Sequence, residues 1–295
     1  MKRKTDSTRD DSFRRPSQAK EIWRRFCKSK GALIGLCLLV FVLAVLIFGP
    51  VFVSYKSATT QDYNSLLASP SAEHIFGCDG FGRDIFARII YGGRTSLSVA
   101  LIATATSCIF GCALGAIAGY FGGWIDSIIM RALDIFMSVP DILFTMAVVV
   151  ALGASATNLI IALTLAYFSN YVRLVRSQVL SLSEQDYVEA ARAGGSGNAR
   201  IILSHILPNA IGVIIVNATL NVAKIIIYES TLSFLGLGMP PPQPEWGLML
   251  SEAREFMRTA PHLLFFPAAA IVLCACSVNL VGDGLRDALD PHLKS

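Results

Sequence analysis

Five stretches without a single Asp, Glu, Lys or Arg constrain this chain more than anything else in it: 31–55, 95–125, 142–172, 201–223 and 259–282. Each reaches or exceeds the roughly 20 residues that an α-helix needs to cross a hydrocarbon layer. The composition agrees, because charged residues make up 16% of the chain, against about 25% in ordinary soluble domains. The pattern predicts an all-α integral membrane protein. A soluble enzyme, a nucleic-acid reader and a secreted disulfide scaffold are excluded.

The formal charge of +4 becomes informative once it is located. Before residue 31 stand Lys2, Arg3, Lys4, Arg9, Arg14, Arg15, Lys20, Arg24, Arg25, Lys28 and Lys30, opposed by Asp6, Asp10, Asp11 and Glu21. Basic clusters beside a first membrane helix stay on the cytoplasmic side, so 1–30 is expected to be a cytoplasmic tail. The run 31–54 is too long for a signal-peptide core and lacks a small-residue cleavage site, so it is expected to be a retained first helix. Residues 55–94 then form an external segment. After Asp79, a candidate N-cap, Phe81, Ile85, Phe86, Ile89 and Ile90 recur at helical spacing. They predict a short interfacial helix.

The remaining domain, 95–287, is expected to add five crossings, for six in all with both termini cytoplasmic, ending in a tail at 288–295. Helix two (96–120) ends at Gly122-Gly123; helix three (126–152) should bend at Pro140, which removes a backbone donor; helix four covers 158–173. Residues 176–207 are too polar to span and should form a cytoplasmic loop: a helix opened by a Ser183/Asp186 capping box and closed by Gly194-Gly195, then a second short helix capped by Ser196 and ending at His205. Pro208 suits the first turn of helix five (208–228). An external loop carries Trp246, and helix six covers 263–281. The seven cysteines fall mostly in apolar runs and suggest buried small residues rather than disulfides or a metal site. Cys78 alone should be external.

The stretch Tyr187-Val-Glu-Ala-Ala-Arg-Ala-Gly-Gly195 followed by His205-Ile-Leu-Pro-Asn209 resembles the EAA loop of the membrane subunits of bacterial ABC importers. The matching positions are Glu189, Ala190, Ala191, Gly195, Leu207 and Pro208, with His205 where isoleucine is usual. His74-Ile-Phe-Gly-Cys-Asp-Gly-Phe-Gly-Arg-Asp-Ile-Phe-Ala-Arg88 resembles the outer-loop signature of the second permease of dipeptide, oligopeptide and nickel importers, with Cys78 and Ala87 as departures. Ser233-Phe-Leu-Gly-Leu-Gly238, Glu245-Trp-Gly247 and Gly282-Asp-Gly-Leu-Arg-Asp-Ala-Leu-Asp-Pro291 are similar to its later signatures.

The resemblance implies a type I importer permease in a bacterial inner membrane. Its implied partners are a second homologous permease, two ATP-binding subunits that hold Mg-ATP, and an extracytoplasmic binding protein. It also implies that the Glu189 helix docks in a groove of an ATPase subunit. The small side chains of Ala190, Ala191 and Ala193 would let that partner approach, while Glu189 offers a carboxylate to a basic residue. No G-x-x-x-x-G-K-[ST] phosphate loop occurs, so this chain has no cofactor of its own to bind and no catalytic residue is assigned. Gly194-Gly-Ser-Gly197 matches the G-x-S-G of intramembrane serine proteases, but its serine lies in a charged loop without a helix-borne histidine. The expected cargo is di- or oligopeptides, with nickel or another small solute as the alternative within the family and an ion-driven carrier as the alternative from another class.

On helix five, Asn217, Asn221, Lys224 and Tyr228 fall at i, i+4, i+7 and i+11, one stripe on an apolar helix. Polar groups at membrane depth face a cavity or another helix. The stripe is expected either to line a translocation path or to bond neighbouring helices.

Overall fold

The computed structural model describes residues 18–289. The first six basic residues of the N-terminal tail and the final Asp-Pro of the C-terminal signature lie outside that range. The described chain is helical: α1 (Gln18–Phe26), α2 (Lys30–Phe52), α3 (Tyr55–Thr59), α4 (Ile85–Phe121), α5 (Gly123–Met137), α6 (Asp141–Leu152), α7 (Ala156–Ser183), α8 (Asp186–Ala193), α9 (Asn198–Arg200), α10 (Leu207–Phe234), α11 (Trp246–Ala253) and α12 (His262–Leu289). Five helical segments are long and apolar enough to cross a membrane, and the pair α5–α6 makes a sixth if its two halves count as one span. That pair starts where Asp126 meets Arg176 near the end of α7, and hands the chain to the opposite end, where α7 begins. It therefore completes a crossing.

Three boundaries differ from the sequence expectation, each for a local reason. The short interfacial helix is instead the beginning of α4, whose N-cap is Asp84, with its side chain accepting from Ala87 N. Asp79 is spent on the preceding loop, where its carboxylate accepts from Phe81 N at 2.8 Å and Arg83 N at 3.0 Å. At 37 residues and 1.5 Å per residue, α4 is about 55 Å long, well beyond a hydrocarbon core of about 30 Å. The expected bend in helix three is a break of 83°. Pro140 disfavours helical geometry at Val139, and a new helix begins at Asp141.

The third difference lies around Pro208. It lies in the first turn of α10, as expected, but α10 is not a fresh start: α9 runs through a π-helical stretch, Ile201–Ile206, into it. In that stretch Leu207 N bonds to Ile202 O, five residues back. A proline inside a regular helix loses a hydrogen bond and clashes with the carbonyl four residues earlier; the wider π turn takes up the ring without ending the helix. Asn209 Nδ2 satisfies the His205 carbonyl at 2.6 Å. The two side-chain caps expected nearby are also absent. Ser183 Oγ donates to Leu180 O, Gln185 is the N-cap of α8 without a side-chain bond, and Gly197 takes the place expected for Ser196.

The main core runs along α4, α7 and α10. α4 and α7 form the most extensive helix pair and lie parallel: Thr106 meets Thr164 at 2.7 Å, and Gly111, Gly115 and Gly119 then track down α7. A Cβ on Gly111 would sit 2.9 Å from Phe168 O, on Gly115 2.6 Å from Val172 O, and on Gly119 2.8 Å from Arg176 O. This four-residue repeat lets the two backbones touch, which is how helices associate where lipid offers no hydrophobic drive. The described ends of the chain meet at one end of the bundle. Phe26 of α1 packs with Ala288 of α12, and Leu289 lies against Gly212 at the start of α10, the end that also carries α8.

Replacing Gly115 with Leu should push α4 off α7 and cost about 1–3 kcal/mol or more. Thermal unfolding in lipid nanodiscs should show a clear fall in midpoint for Gly115→Leu, with little change for the same substitution at exposed Ile109.

Candidate functional site

The candidate site is a helical spur at one end of the bundle. α7 runs on to Ser183, four residues past the buried Val179, and α8 turns back beneath it. One residue anchors α8: Val188, fully buried against Ala116, Val175, Val179, Ile201 and Ile206. Burying a valine contributes about 1.5–3 kcal/mol, enough to fix so short a helix in place. Ala191 and Leu207 are partly buried against the same cluster, so two of the predicted coupling residues serve the platform. Arg192 lies over the Tyr120 ring at 5.8 Å, and Tyr120 Oη donates to Asn198 Oδ1 at 3.0 Å. Both contacts tie the spur to the end of α4.

The other face of α8 is open. Glu189, Ala190, Ala193, Gly194 and Gly195 are exposed, as is Pro208, and the Glu189 carboxylate makes no hydrogen bond or ion pair among the described residues. Nearby Leu203 is a large apolar side chain 66% exposed. Gly195 has φ +78°, a left-handed conformation that disfavours any side chain. Gly195 N bonds to Arg192 O and Ser196 N to Ala191 O, the paired bonds of a Schellman closure. Glu189, Ala190, Ala191 and Gly195 are thus brought together on or beside one rigid surface.

The helix-five stripe does not stay together. Asn217 lines an open cavity of about 450 Å³ with Gly212, Val216, Leu220, Arg286 and Leu289. Asn221 is buried, beside the Tyr171 hydroxyl of α7. Lys224 is exposed. Tyr228 packs edge-on against Tyr167, with ring centroids 5.6 Å apart. One stripe of α10 therefore meets a cavity, a helix and open surface in turn.

Two charged clusters at the far end escaped sequence reasoning. Asp79 and Glu252 hold Arg83 and Arg88 in a buried knot. Arg83 bonds Asp79 through Nε at 2.7 Å and Glu252 through Nη2 at 2.7 Å, while Arg88 Nη1 reaches Asp79 and, at 2.6 Å, Glu252. The two arginines are 3% and 1% exposed, so the knot clamps the loop before α4 onto α11. The second cluster is Glu229 with Glu245, both fully buried. The available signal was that Asp79, Arg83, Arg88 and Glu245 all fall within the quoted signatures. Cys78, expected to be external, is fully buried beside this knot. Burial, and after it the negative charges of Asp84 and Asp79, push its thiol up to about 11.

Residues 111–295 match the family described as the binding-protein-dependent transport system inner membrane component, and residues 17–70 match the N-terminal transmembrane domain of oligopeptide transport permease C. The chain belongs to this permease family. It is 46% identical to the dipeptide transport system permease protein of Alkalihalophilus pseudofirmus, over 97% of this chain and 94% of that one. It is 41% identical to the glutathione transport system permease protein of Pectobacterium atrosepticum, over 97% and 95%. Among solved structures, an inward-facing form of the MetNI methionine ABC transporter has a chain with the same fold, at TM-score 0.56 and 17% identity, covering 70% of this chain and 98% of that one. The permease is an inner-membrane transporter subunit of an ABC importer, not an enzyme, and its fold is that of a type I importer permease.

Removing one member of the buried knot strands the others. Arg88→Met should therefore destabilise the permease by about 3–5 kcal/mol, read as a lowered thermal midpoint. Cys78 should resist a membrane-impermeant thiol reagent in the folded permease and react with it after denaturation; rapid labelling of folded protein would contradict the buried placement.

Proposed function

We propose that this permease carries di- or oligopeptides through the membrane as one of a pair of homologous permeases, with α8 transmitting the closure of a partner ATPase. The observation that carries the reading is the spur. Val188 fixes α8 to the bundle from beneath, while the face with Glu189, Ala190 and Gly195 is left open with an unpaired carboxylate. Small side chains allow a groove to close around it, and Glu189 would meet a basic residue. A push on a helix so anchored passes to α4, α7 and α10 at once.

In this reading the α8 end is cytoplasmic, with the basic tail on the same side, and the loop of α3 is external. Two ATP-binding subunits hold Mg-ATP at the α8 end, and an extracytoplasmic binding protein delivers cargo at the other. Leu207 and Pro208 set the flexible π junction through which α8 bears on α10. The names of the two relatives, for dipeptide and glutathione transport, favour peptides over nickel or another small solute. The closing test of cargo is ATPase stimulation of the complex, purified with its natural partner chains, by a panel of peptides and metal chelates together with its binding protein. Stimulation by a metal chelate and by no peptide would reverse the assignment.

Glu189→Lys should abolish ATP-driven transport while leaving insertion and thermal midpoint within the wild-type range. Gly195→Val should do the same through strain at the positive-φ cap. Transport at the normal rate in both would remove α8 from the coupling path.

Along α10, single cysteines should separate path from seam. Cysteine at 217 and at 224 should react with small polar thiol reagents, and reactivity at 217 should change when an ATP analogue traps the complex. Cysteine at 221 should stay inert and lower stability. Protection at 217 in every state would take Asn217 out of the path.

A further inference from the structure

Glu229 lies near the end of α10, and Glu245 caps α11 by accepting from Gly247 N at 3.1 Å. Their carboxyls face each other, and both side chains are fully buried. The groups around them are polar but uncharged. Ser230 Oγ donates to Glu229 at 3.3 Å, Ser96 of α4 lies beside Glu229, and Ser233 with the Met239 and Gly247 backbone amides surrounds Glu245. Glu229 Oε1, Glu245 Oε2 and Ser233 Oγ have no hydrogen-bond partner. Ser233 Oγ and Glu245 Oε2 crowd together at Gly238, where an added Cβ would overlap Ser233 Oγ and come within 2.8 Å of Glu245 Oε2.

Among the described residues, no cation reaches this place from a packed element. On α4, Arg88 is taken by Asp79 and Glu252, Arg94 is exposed, and Tyr91 donates to Val53 O. On α10, Lys224 is exposed and Tyr228 packs on Tyr167 of α7. On α11, Glu252 belongs to the knot, and on α12 His262 lies against Gly77. Two like charges in contact without a counter-charge cannot both persist away from water.

We propose that Glu229 and Glu245 form a buried proton-binding site, sharing one proton that bonds α11 to α10. The single proton removes one charge and supplies the donor that the orphaned oxygens lack. The remaining charge is held by the Gly247 amide on Glu245 and the Ser230 hydroxyl on Glu229. Burial holds the Glu245 carboxyl above the ordinary carboxylate range, against hydrogen bonds that favour its ionised form.

The site has a mechanical consequence. α11 is fixed at its start by this pair and by Trp246, whose Nε1 donates to Ile89 O at 2.9 Å, and near its other end by the Glu252 knot. When the start of α11 lifts away, water reaches two ordinary carboxyls, and at neutral pH the shared proton leaves. The closed form binds more protons than the open one, so closure is favoured at low pH and weakens as pH rises through the closed-state value.

The test is amide hydrogen exchange of residues 239–253 in the full chain, purified with its partner chains in lipid nanodiscs, from mildly acidic conditions to about pH 9, near the top of the range for buried glutamic acids. After correction for base catalysis, opening in the wild type should rise by up to about tenfold per pH unit between the ordinary carboxylate range and the closed-state value, and level off above it. In Glu229→Gln, whose amide replaces the shared proton as donor, opening should be independent of pH with protection retained. The same pH slope in Glu229→Gln and Glu245→Gln as in the wild type would overturn the proposal. So would opening that ignores pH but responds to sodium or calcium chloride at fixed ionic strength, which would give the site to a metal cation. Should neither variant fold, infrared spectra of the wild type decide. A protonated carboxyl stretch that persists at neutral pH and shifts in heavy water is expected, and its absence refutes the shared proton.

Discussion

Everything in this permease hangs on the contact between α4 and α7. Inside a bilayer, apolar side chains gain nothing by leaving lipid for protein, so helix association depends on how closely backbones can pack. Gly111, Gly115 and Gly119 remove the side chains from one stripe of α4, and carbonyls of α7 fill the space. Because the two helices run parallel, their far ends emerge together. That shared end is the platform on which Val188 seats α8. A seam at membrane depth thus determines whether the spur outside it is rigid.

The opposite end follows a different rule. There α11 is held by polar groups withdrawn from water: the Asp79–Arg83–Arg88–Glu252 knot joins it to the loop after α3, and the Glu229–Glu245 pair joins it to α10. Such groups are costly to bury and contribute little net stability against an apolar alternative, but removing one partner is severe. They act as registration pins. The knot admits one placement of the loop on α11, since Arg83 and Arg88 both need the same two carboxylates. Apolar packing alone, as between Phe76 and Phe266 with ring centroids 4.0 Å apart, would tolerate sliding.

The charge-free runs marked α2, α4, α10 and α12 directly, because hydrocarbon disfavours charge whatever the tertiary fold, while the run 142–172 crosses the turn between α6 and α7. The Glu189 helix with its glycine closure was equally legible, since positive φ at Gly195 is a local demand. What stayed hidden depends on partners distant in sequence. Asp79 has the chemistry of an N-cap, and only Arg83, Arg88 and Glu252, the last far along the chain, show why Asp84 caps α4 instead. Cys78 sits in a polar loop, yet that loop folds back over it. Pro208 looks like a helix start because periodicity cannot distinguish a new helix from a π turn that lets an old one continue. The polar stripe on α10 was periodic as expected, but periodicity says nothing about which neighbour each turn will meet.

That last point bears on how movement could pass through the subunit. α10 touches α8's platform through Ala210 and Ile214, α7 through Asn221 and Tyr228, and α11 through Glu229. Like α4, it contacts the spur, the interior and the far-end pins. A rigid α10 would carry any displacement of α8 straight to α11. The π stretch at 201–206 lies between α8 and the rest of α10, where a helix with widened hydrogen bonding can change its bend at low cost. Compliance beside the spur and stiff pinning at the other end favour a pivot over a piston. The near end of α10 can swing while its far end stays on α11, until the Glu229–Glu245 contact itself is broken.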